Sequence, residues 1–142
     1  MLFIGTTPLS GIGQYILKYS ALFPDSKYLE PNQEIPEGED VFVFPLPYGN
    51  IYDWLREIKR KSRRVICMTI CETETVHEDY GKIFDIFPDV AVSSEFCQWV
   101  FSRQFPNTRF HIIRAYIPYT PKPRPEWAAS SGVYRFYHIG NV

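Results

Sequence analysis

Long hydrophobic runs are missing from this sequence. No segment approaches the roughly 20 apolar residues that a membrane-spanning helix needs. The first residues, MLFIGTTPLSGIGQY, also lack the basic region and the long apolar core of a secretion signal. We therefore expect a cytoplasmic protein.

An excess of one charge is missing as well. The chain has 15 Lys and Arg against 16 Asp and Glu, a formal net charge of -1 and a pI near 6.3. Nucleic-acid-binding domains usually carry a strongly basic face, so no nucleic-acid partner is expected. A basic run, KRKSRR at 59–64, ends a predicted helix, where cations suit the negative end of the dipole. Contact with a membrane surface and nuclear targeting remain open alternatives to this solvated helix end.

Cysteine is scarce and odd in number. Cys67, Cys71 and Cys97 cannot make a disulfide framework in a chain of 142 residues, so we expect reduced thiols. A zinc site from these three with His77 is an alternative, but Cys67 lies within a predicted strand and no C-x-x-C pair is present. We expect no metal and no bound cofactor.

What the sequence does contain is a regular alternation of short apolar runs with helical patterns. By size it is about one domain. Alternating strands and helices predict an α/β, Rossmann-like fold with a mostly parallel sheet and helices on both faces. The expected strands are 2–5, 27–30, 41–44, 64–69, 89–92 and 110–113, and the expected helices cover 13–21, 51–61, a short segment before 89, and a segment from Ser94.

Polar loops follow two central strands of this predicted sheet. CETETVH follows 64–69 and SSEF follows 89–92, and such loops line the ligand crevice of an open α/β sheet. Glu72 and His77 are the candidate acid-base residues there. Each also has a structural interpretation: Glu72 as a buried carboxylate bracing a loop, and His77 as part of a solvated loop. Ser94 with Glu95 is explained by helix capping alone.

A glycine loop follows the first strand. Gly11 and Gly13 in TTPLSGIG would let backbone approach a ligand, and helix N-terminal amides favour an anion such as a phosphate. The alternative is a tight turn whose glycines only permit close helix packing, because a lone G-x-G is a weak signal.

Together these segments resemble a known family. MTICETETVHEDYGKIFDIFPDVAVSSEFCQWVF is similar to the part of GT-B glycosyltransferases where a Glu-Thr pair follows a central strand and a Ser-Glu-Phe motif starts a helix. The N-terminal domain of that family begins with a strand, a glycine-rich loop and a helix, which GTTPLSGIGQY resembles. FHIIRAYIP resembles the strand after the Ser-Glu-Phe helix, and VYRFYHIGNV resembles the first strand of the donor-binding domain, so the likeness follows the chain in order.

This resemblance implies an acceptor-side domain at 1–117, a Pro-rich linker at 118–132 and, at 133–142, the first strand of a donor-binding domain that is missing. The whole enzyme would be a glycosyltransferase that moves a sugar from a nucleotide sugar to a hydroxyl acceptor, and the resemblance favours retention of configuration. This fragment alone would be inactive. Strand 133–142 could pair with a second copy in a dimer. The implied substrate-binding residues are Gly11, Ile12, Gly13, Cys71, Thr73, Glu74, Ser94 and Glu95. The family often has histidine near Cys71, where this chain has a thiol.

Two other functions stay open. SGIGQ after a strand is partly typical of NAD(P)-binding oxidoreductases, with Glu30 as the ribose-binding acid, but Thr7 stands where a glycine is expected and no Tyr-x-x-x-Lys pair follows. A non-catalytic binding module with a Rossmann-like core is the other alternative.

Overall fold

The computed structural model describes residues 1–7, 9–31 and 33–114. In this part of the chain six parallel strands form one sheet in the order β2-β1-β3-β4-β5-β6. The α/β, Rossmann-like fold expected from the sequence is confirmed. The elements are β1 (Leu2–Ile4), α1 (Gly11–Ser20), β2 (Lys27–Leu29), β3 (Asp40–Val43), α2 (Tyr52–Lys61), β4 (Arg64–Thr69), α3 (Tyr80–Ile86), β5 (Asp89–Val92), α4 (Glu95–Gln104) and β6 (Arg109–Ile112).

The strand order places a topological switch point between β1 and β3. β1 pairs with β2 on one side and with β3 on the other. The connection from β1 to β2 therefore runs in one direction along the sheet, and the connection from β2 to β3 crosses back over β1. Loops that follow strands on either side of such a point diverge and leave a crevice at the carboxyl edge. The sheet therefore positions any ligand site above the carboxyl ends of β1, β3 and β4.

Helices cover both faces of the sheet, as predicted. On one face, Ile16 and Tyr19 of α1 pack in a cluster with Phe3 and Phe42. On the other face α2, α3 and α4 pack against the alternate residues of the same strands. Buried side chains of that second cluster include Leu2, Ile4, Val41, Val43, Leu55, Ile58, Cys67, Ile83, Phe84, Val90, Val92, Cys97 and Phe101.

Among the exposed large hydrophobic residues are Leu22 and Trp99. Leu22 is 47% exposed because α1 ends at Ser20, two residues before it. Trp99 is 48% exposed on the outer side of α4, where the Arg103 guanidinium stacks 4.5 Å from the ring centroid. The sequence pattern assigns Cys97, Trp99 and Phe101 to the core, and for Trp99 this prediction is wrong. Periodicity alone did not separate the two sides of α4, which carries apolar residues all round.

Several predictions fall outside the described residues. The Pro-rich linker at 118–132, the strand at 133–142 and a dimer through that strand all lie beyond position 114. Within the described helices, none is long and apolar enough to cross a membrane.

Candidate functional site

A cavity of about 560 Å³ opens at the carboxyl edge of the sheet; we call it the carboxyl-edge cavity. It lies between the start of α1, the turn after β3 and the loop that joins β4 to α3. Its volume falls in the range of about 300–1,000 Å³ that is typical of small-molecule sites. Among the described residues it is lined by Ile12, Pro47, Tyr48, Gly49, Ile70, Cys71, Glu72, Thr73, Thr75, Val76, His77, Asp79 and Tyr80.

The structure brings together about half of the site residues predicted from the sequence. The start of α1 and the β4–α3 loop meet at this cavity, although they are distant in sequence. Predicted residues in the lining are Ile12, Cys71, Glu72, Thr73 and His77. The others lie outside the described lining: Gly11, Gly13, Glu74, Ser94 and Glu95.

Glu72 is exposed at the cavity and not buried in the loop. The structural interpretation of Glu72 as a buried brace is therefore wrong. The 70–80 loop is held in another way: the Gln104 side chain of α4 accepts from the Val76 amide at 2.8 Å and donates to the Val76 carbonyl at 3.0 Å. Thr73 also donates its hydroxyl proton to the Thr75 carbonyl at 2.6 Å. Glu72 can therefore face a ligand without losing a structural contact of its own loop.

His77 lies on the exposed side of the same loop, as its solvated interpretation predicted. Its Nδ1 accepts a hydrogen bond from the Asp79 amide at 3.2 Å. Because Nδ1 acts as an acceptor there, Nε2 carries the ring proton in the neutral form and can donate it to a ligand. A hydrogen bond from Lys82, 2.6 Å from the Asp79 carboxylate, lowers the pKa of Asp79. Asp79 thus stays ionised beside the imidazole.

The turn after β3 forms the wall opposite this loop. Gly49 has a φ of +63°, a left-handed conformation that suits glycine, and this residue bends PLPYGN sharply after the strand. The Tyr48 residue beside it is 72% exposed. Its backbone amide donates to the Leu46 carbonyl at 2.8 Å, which helps to hold the turn. The sequence showed a turn at this strand end, but which cavity Tyr48 would line depended on the sheet order.

The glycine loop serves mainly to start and pack α1. Ser10 is the N-cap, and its hydroxyl accepts from the Gly13 amide at 2.9 Å, so this amide is occupied by the protein itself. Gly11 and Ile12 are the first two residues of α1, whose amides no carbonyl of the helix can reach. The helix therefore begins two residues earlier than the sequence indicated, and Ile12 is the loop residue at the cavity.

The SSEF motif is a helix start behind the cavity. The Ser94 hydroxyl accepts from the Cys97 amide at 3.2 Å and caps α4. Glu95 in the first turn forms an ion pair with Arg114. These contacts agree with the capping interpretation of the two residues. Cys97 lies against the turn after β4, where its sulfur contacts the backbone of Cys71.

A second, smaller cavity of about 160 Å³ lies at the switch point itself. Its walls come from the ends of β1 and β3 and from α2, and they are almost entirely apolar. The indole Nε1 of Trp54 is buried and has no hydrogen-bond partner among the described residues. The described lining is Ile4, Gly5, Thr6, Pro31, Val43, Phe44, Pro45, Leu46, Tyr48, Ile51 and Trp54. Tyr48 belongs to both cavities, which therefore adjoin.

Within the described residues, no three His, Cys, Asp or Glu side chains are grouped as a metal site requires. Cys67, one of the residues considered for zinc, is buried in β4, and burial raises the pKa of its thiol well above the usual range. Comparison of the chain with protein-family models, with curated proteins and with solved structures gave no match.

Proposed function

We propose that this chain is the acceptor-side domain of a nucleotide-sugar-dependent glycosyltransferase, with the carboxyl-edge cavity as its acceptor site. The observation that carries the proposal is the meeting of three separate segments at that cavity. Ile12, Gly49 and Glu72 come from the start of α1, the turn after β3 and the loop after β4. The resemblance to GT-B enzymes assigns the acceptor to the same edge of the sheet.

The polar side chains of the cavity suit a sugar or another polyhydroxyl acceptor. Glu72 can accept a hydrogen bond from an acceptor hydroxyl and take its proton as the glycosidic bond forms. The hydroxyl of Thr73 and the Nε2 proton of His77 can orient neighbouring hydroxyls. Tyr48 presents an exposed ring, and aromatic rings pack well against the apolar face of a sugar.

The first turn of α1 would contribute to the donor side. The amides of Gly11 and Ile12 can donate to a phosphate oxygen, and the positive end of the helix dipole favours the leaving diphosphate. Stabilising that leaving group and placing the acceptor hydroxyl are the two main requirements of glycosyl transfer. In the resembling family a separate domain binds the nucleotide. We therefore expect UDP- and GDP-sugars to bind this chain with dissociation constants above ~1 mM, and micromolar binding by calorimetry would contradict that expectation.

The acceptor site is tested by titrating the protein with a panel of mono- and oligosaccharides, using ligand-observed NMR and calorimetry. At least one saccharide should bind, and Glu72→Gln should weaken it about tenfold, since a hydrogen bond to a charged group is lost. Glu78→Gln is the matched control, because Glu78 is an exposed carboxylate of the same loop outside the described lining. Its affinity should stay within about twofold of the wild type.

Two outcomes would overturn the proposal. If no saccharide binds at millimolar concentration, the cavity is not an acceptor site. If a saccharide binds equally well to the wild type and to Glu72→Gln, the carboxylate has no role in recognition, and a non-catalytic binding module becomes the better interpretation. Because Glu72 is exposed, both variants should keep the melting temperature of the wild type, so lost affinity is not confused with unfolding.

A dinucleotide-binding function remains the second candidate because of the switch point. Dinucleotides bind where the strand order reverses, and Glu30 directly follows β2 at the carboxyl edge, the position of a ribose-binding acid. The same calorimetric titration with NAD and NADP separates the two functions. Micromolar affinity that Glu30→Gln abolishes would favour the oxidoreductase-like domain over the transferase.

A further inference from the structure

Two of the three cysteines meet behind the carboxyl-edge cavity. The Cys97 sulfur lies 3.4 Å from the Cys71 backbone nitrogen and 3.5 Å from the Cys71 carbonyl oxygen. The two thiols also shift each other's pKa. Cys71 follows the end of β4 and Cys97 lies in the first turn of α4, so strand pairing between β4 and β5 fixes both backbones. The fold therefore holds the Cys97 sulfur against Cys71, although 25 residues separate the two cysteines in sequence.

The environments of the two thiols differ. Burial alone would raise the pKa of Cys97, but hydrogen bonds with Ser94, the Cys71 backbone, Ser93 and the Cys71 thiol together lower it below its ordinary value. Its place in the first turn of a helix favours a thiolate in the same way. For Cys71, burial, the negative charge of Cys97 and the hydrogen bond to Cys97 raise the pKa to about 12. Cys97 is the better nucleophile and Cys71 the protonated partner.

Access to the pair is restricted. Cys71 is half-buried and lines the carboxyl-edge cavity, whereas Cys97 is 3% exposed behind it. An oxidant that enters the cavity meets Cys71 first and must pass it to reach Cys97, which favours a small peroxide over a bulky disulfide reagent. Cys67 is also buried, but it lies within β4, and the hydrogen bonds of the Cys97 sulfur are made with Cys71 and Ser93. The arrangement therefore selects one pair of the three cysteines.

We propose that Cys71 and Cys97 are a redox-active pair that a peroxide converts to a reversible disulfide. The Cys97 thiolate attacks one peroxide oxygen, the O–O bond breaks, and hydroxide leaves and takes up a proton as water, which leaves a sulfenic acid on Cys97. The Cys71 sulfur then attacks the Cys97 sulfur. The S–O bond breaks, and the hydroxyl departs with the Cys71 proton as a second water. Two thiols lose two electrons and the peroxide is reduced to two waters.

The disulfide would change the cavity. The two sulfurs must close to about 2.05 Å, which draws the start of the 70–80 loop toward α4. Glu72 is the next residue in that loop, so its carboxylate moves with Cys71. The pair depends on the fold alone and not on which ligand the cavity binds. Reduction by a dithiol reverses it.

The test exposes the full chain to hydrogen peroxide in small molar excess, unfolds it, alkylates the remaining thiols and maps them by mass spectrometry. Free thiols should fall from three to one, with a peptide linking Cys71 to Cys97 and alkylated Cys67, and dithiothreitol should restore all three. Cys67→Ala should form the same disulfide, because it leaves the pair intact. Oxidation of the native chain should be at least about tenfold faster than in concentrated urea, since only the fold holds the sulfurs together.

Cys71→Ser gives a separate readout of the first step. Without its partner, Cys97 should accumulate as a sulfenic acid, which dimedone labels when the oxidised protein is unfolded in its presence, while Cys67 stays unlabelled. Three thiols surviving in the wild type, a disulfide that includes Cys67, or equal rates in native buffer and urea would each overturn the proposal. The wild-type thiol count and the urea comparison need no variant, so they decide the matter even if Cys71→Ser does not fold.

Discussion

Gly5 sets how closely α1 approaches the sheet. A Cβ added to Gly5 would lie 2.2 Å from Ile16 Cδ1 and 2.9 Å from the Tyr28 hydroxyl. Ile16 is fully buried under the sheet, and the Tyr28 hydroxyl donates to the Thr6 carbonyl, so neither neighbour moves freely. The missing side chain at this position therefore determines where the start of α1 lies beside the cavity.

Gly5→Ala is expected to destabilise the protein by about 1–3 kcal/mol, the cost of forcing an extra methyl into a packed core. Urea denaturation of the purified variant measures this loss. Gly11→Ala is the matched control, because nothing lies within 4 Å of a Cβ built there. It should be neutral or stabilising by up to about 1 kcal/mol, since alanine is the better helix former. Equal stability of Gly5→Ala and the wild type would show that α1 moves without cost.

The close packing shown for a glycine of this region is at Gly5, which the G-x-G pattern does not include. Gly11 and Gly13 form a recognisable G-x-G, and ligand approach was one interpretation. In the structure Gly13 is tied to the Ser10 cap, and the close contact occurs at Gly5. The G-x-G motif is visible in the sequence. The steric requirement for a glycine at position 5, by contrast, arises only because α1 folds back over β1 and brings Ile16 against it.

At the scale of the element, α4 supports both the cavity and the cysteine pair. Ser94 caps its first turn, and Gln104 at its end holds Val76 in the loop that carries Glu72. Cys97 and Phe101 bury its inner side, where the Phe101 ring stacks on Phe110 with centroids 5.5 Å apart. The position of α4 therefore fixes the position of the 70–80 loop in the cavity wall.

Ser94→Ala should cost about 1 kcal/mol of stability, because the Cys97 amide loses its capping acceptor. Thermal denaturation of the variant gives the value. Ser102→Ala, an exposed change in the interior of the same helix, should be neutral or slightly stabilising. If the two variants unfold at the same temperature, the cap does not stabilise α4.

The end of α2 shows how charged residues are used within one element. The basic run was interpreted as a solvated helix end, and most of its cations have partners in the structure. Lys61 pairs with Glu57 at 3.0 Å, and Lys59 donates to the Ile86 carbonyl. Arg63 and Arg64 both bind Asp40. Contact of this run with a membrane surface stays a prediction.

At the scale of the whole molecule, the two edges of the sheet have different tasks. The carboxyl edge holds the carboxyl-edge cavity and the smaller apolar cavity beside it, whereas ion pairs join neighbouring strands at the amino edge. Asp89 and Arg109 are register partners on β5 and β6, and their side chains form two hydrogen bonds of 2.7 and 2.6 Å. His111 adds a contact of 3.1 Å to Asp89. Ion pairs at the amino edge therefore help to fix the strand register, and the loops at the carboxyl edge form the candidate site.

The ion pairs of Asp89 at this edge should make the free energy of unfolding depend on pH. Hydrogen bonds from Arg109, then from His111, lower the pKa of Asp89 to about 2. Its ordinary pKa in an unfolded chain is about 3.9. Because the folded value is the lower one, the stabilisation is fully present above pH ~4 and is lost as the pH falls toward ~2.

Asp89→Asn should therefore melt slightly below the wild type at pH 6, by a small amount typical of exposed ion pairs. The difference should shrink steadily as the pH falls from 4 to 2 and disappear below the folded pKa of Asp89, about 2. Melting curves recorded across this range provide the check. Asp85→Asn, which removes an exposed carboxylate of α3, controls for the loss of one negative charge. A gap for Asp89→Asn that stays constant down to pH 2 would refute the assignment.

The sequence by itself determined the elements and their order along the chain. Local patterns of apolar residues, prolines and caps lie within a few positions of each other, so all six described strands and the start of α4 at Ser94 were predicted correctly. It also indicated that loops at strand ends would carry the site. The boundaries shifted by one or two residues, because caps such as Ser10 decide them.

Only the tertiary structure decided which of those loops meet. Sheet order places β3 between β1 and β4, and this order brings Tyr48 and Ile12 beside Glu72 while it leaves Ser94 behind the cavity. The same packing sets Cys97 against Cys71. Such contacts depend on strand pairing between distant segments, and no local pattern of residues encodes the distance between them.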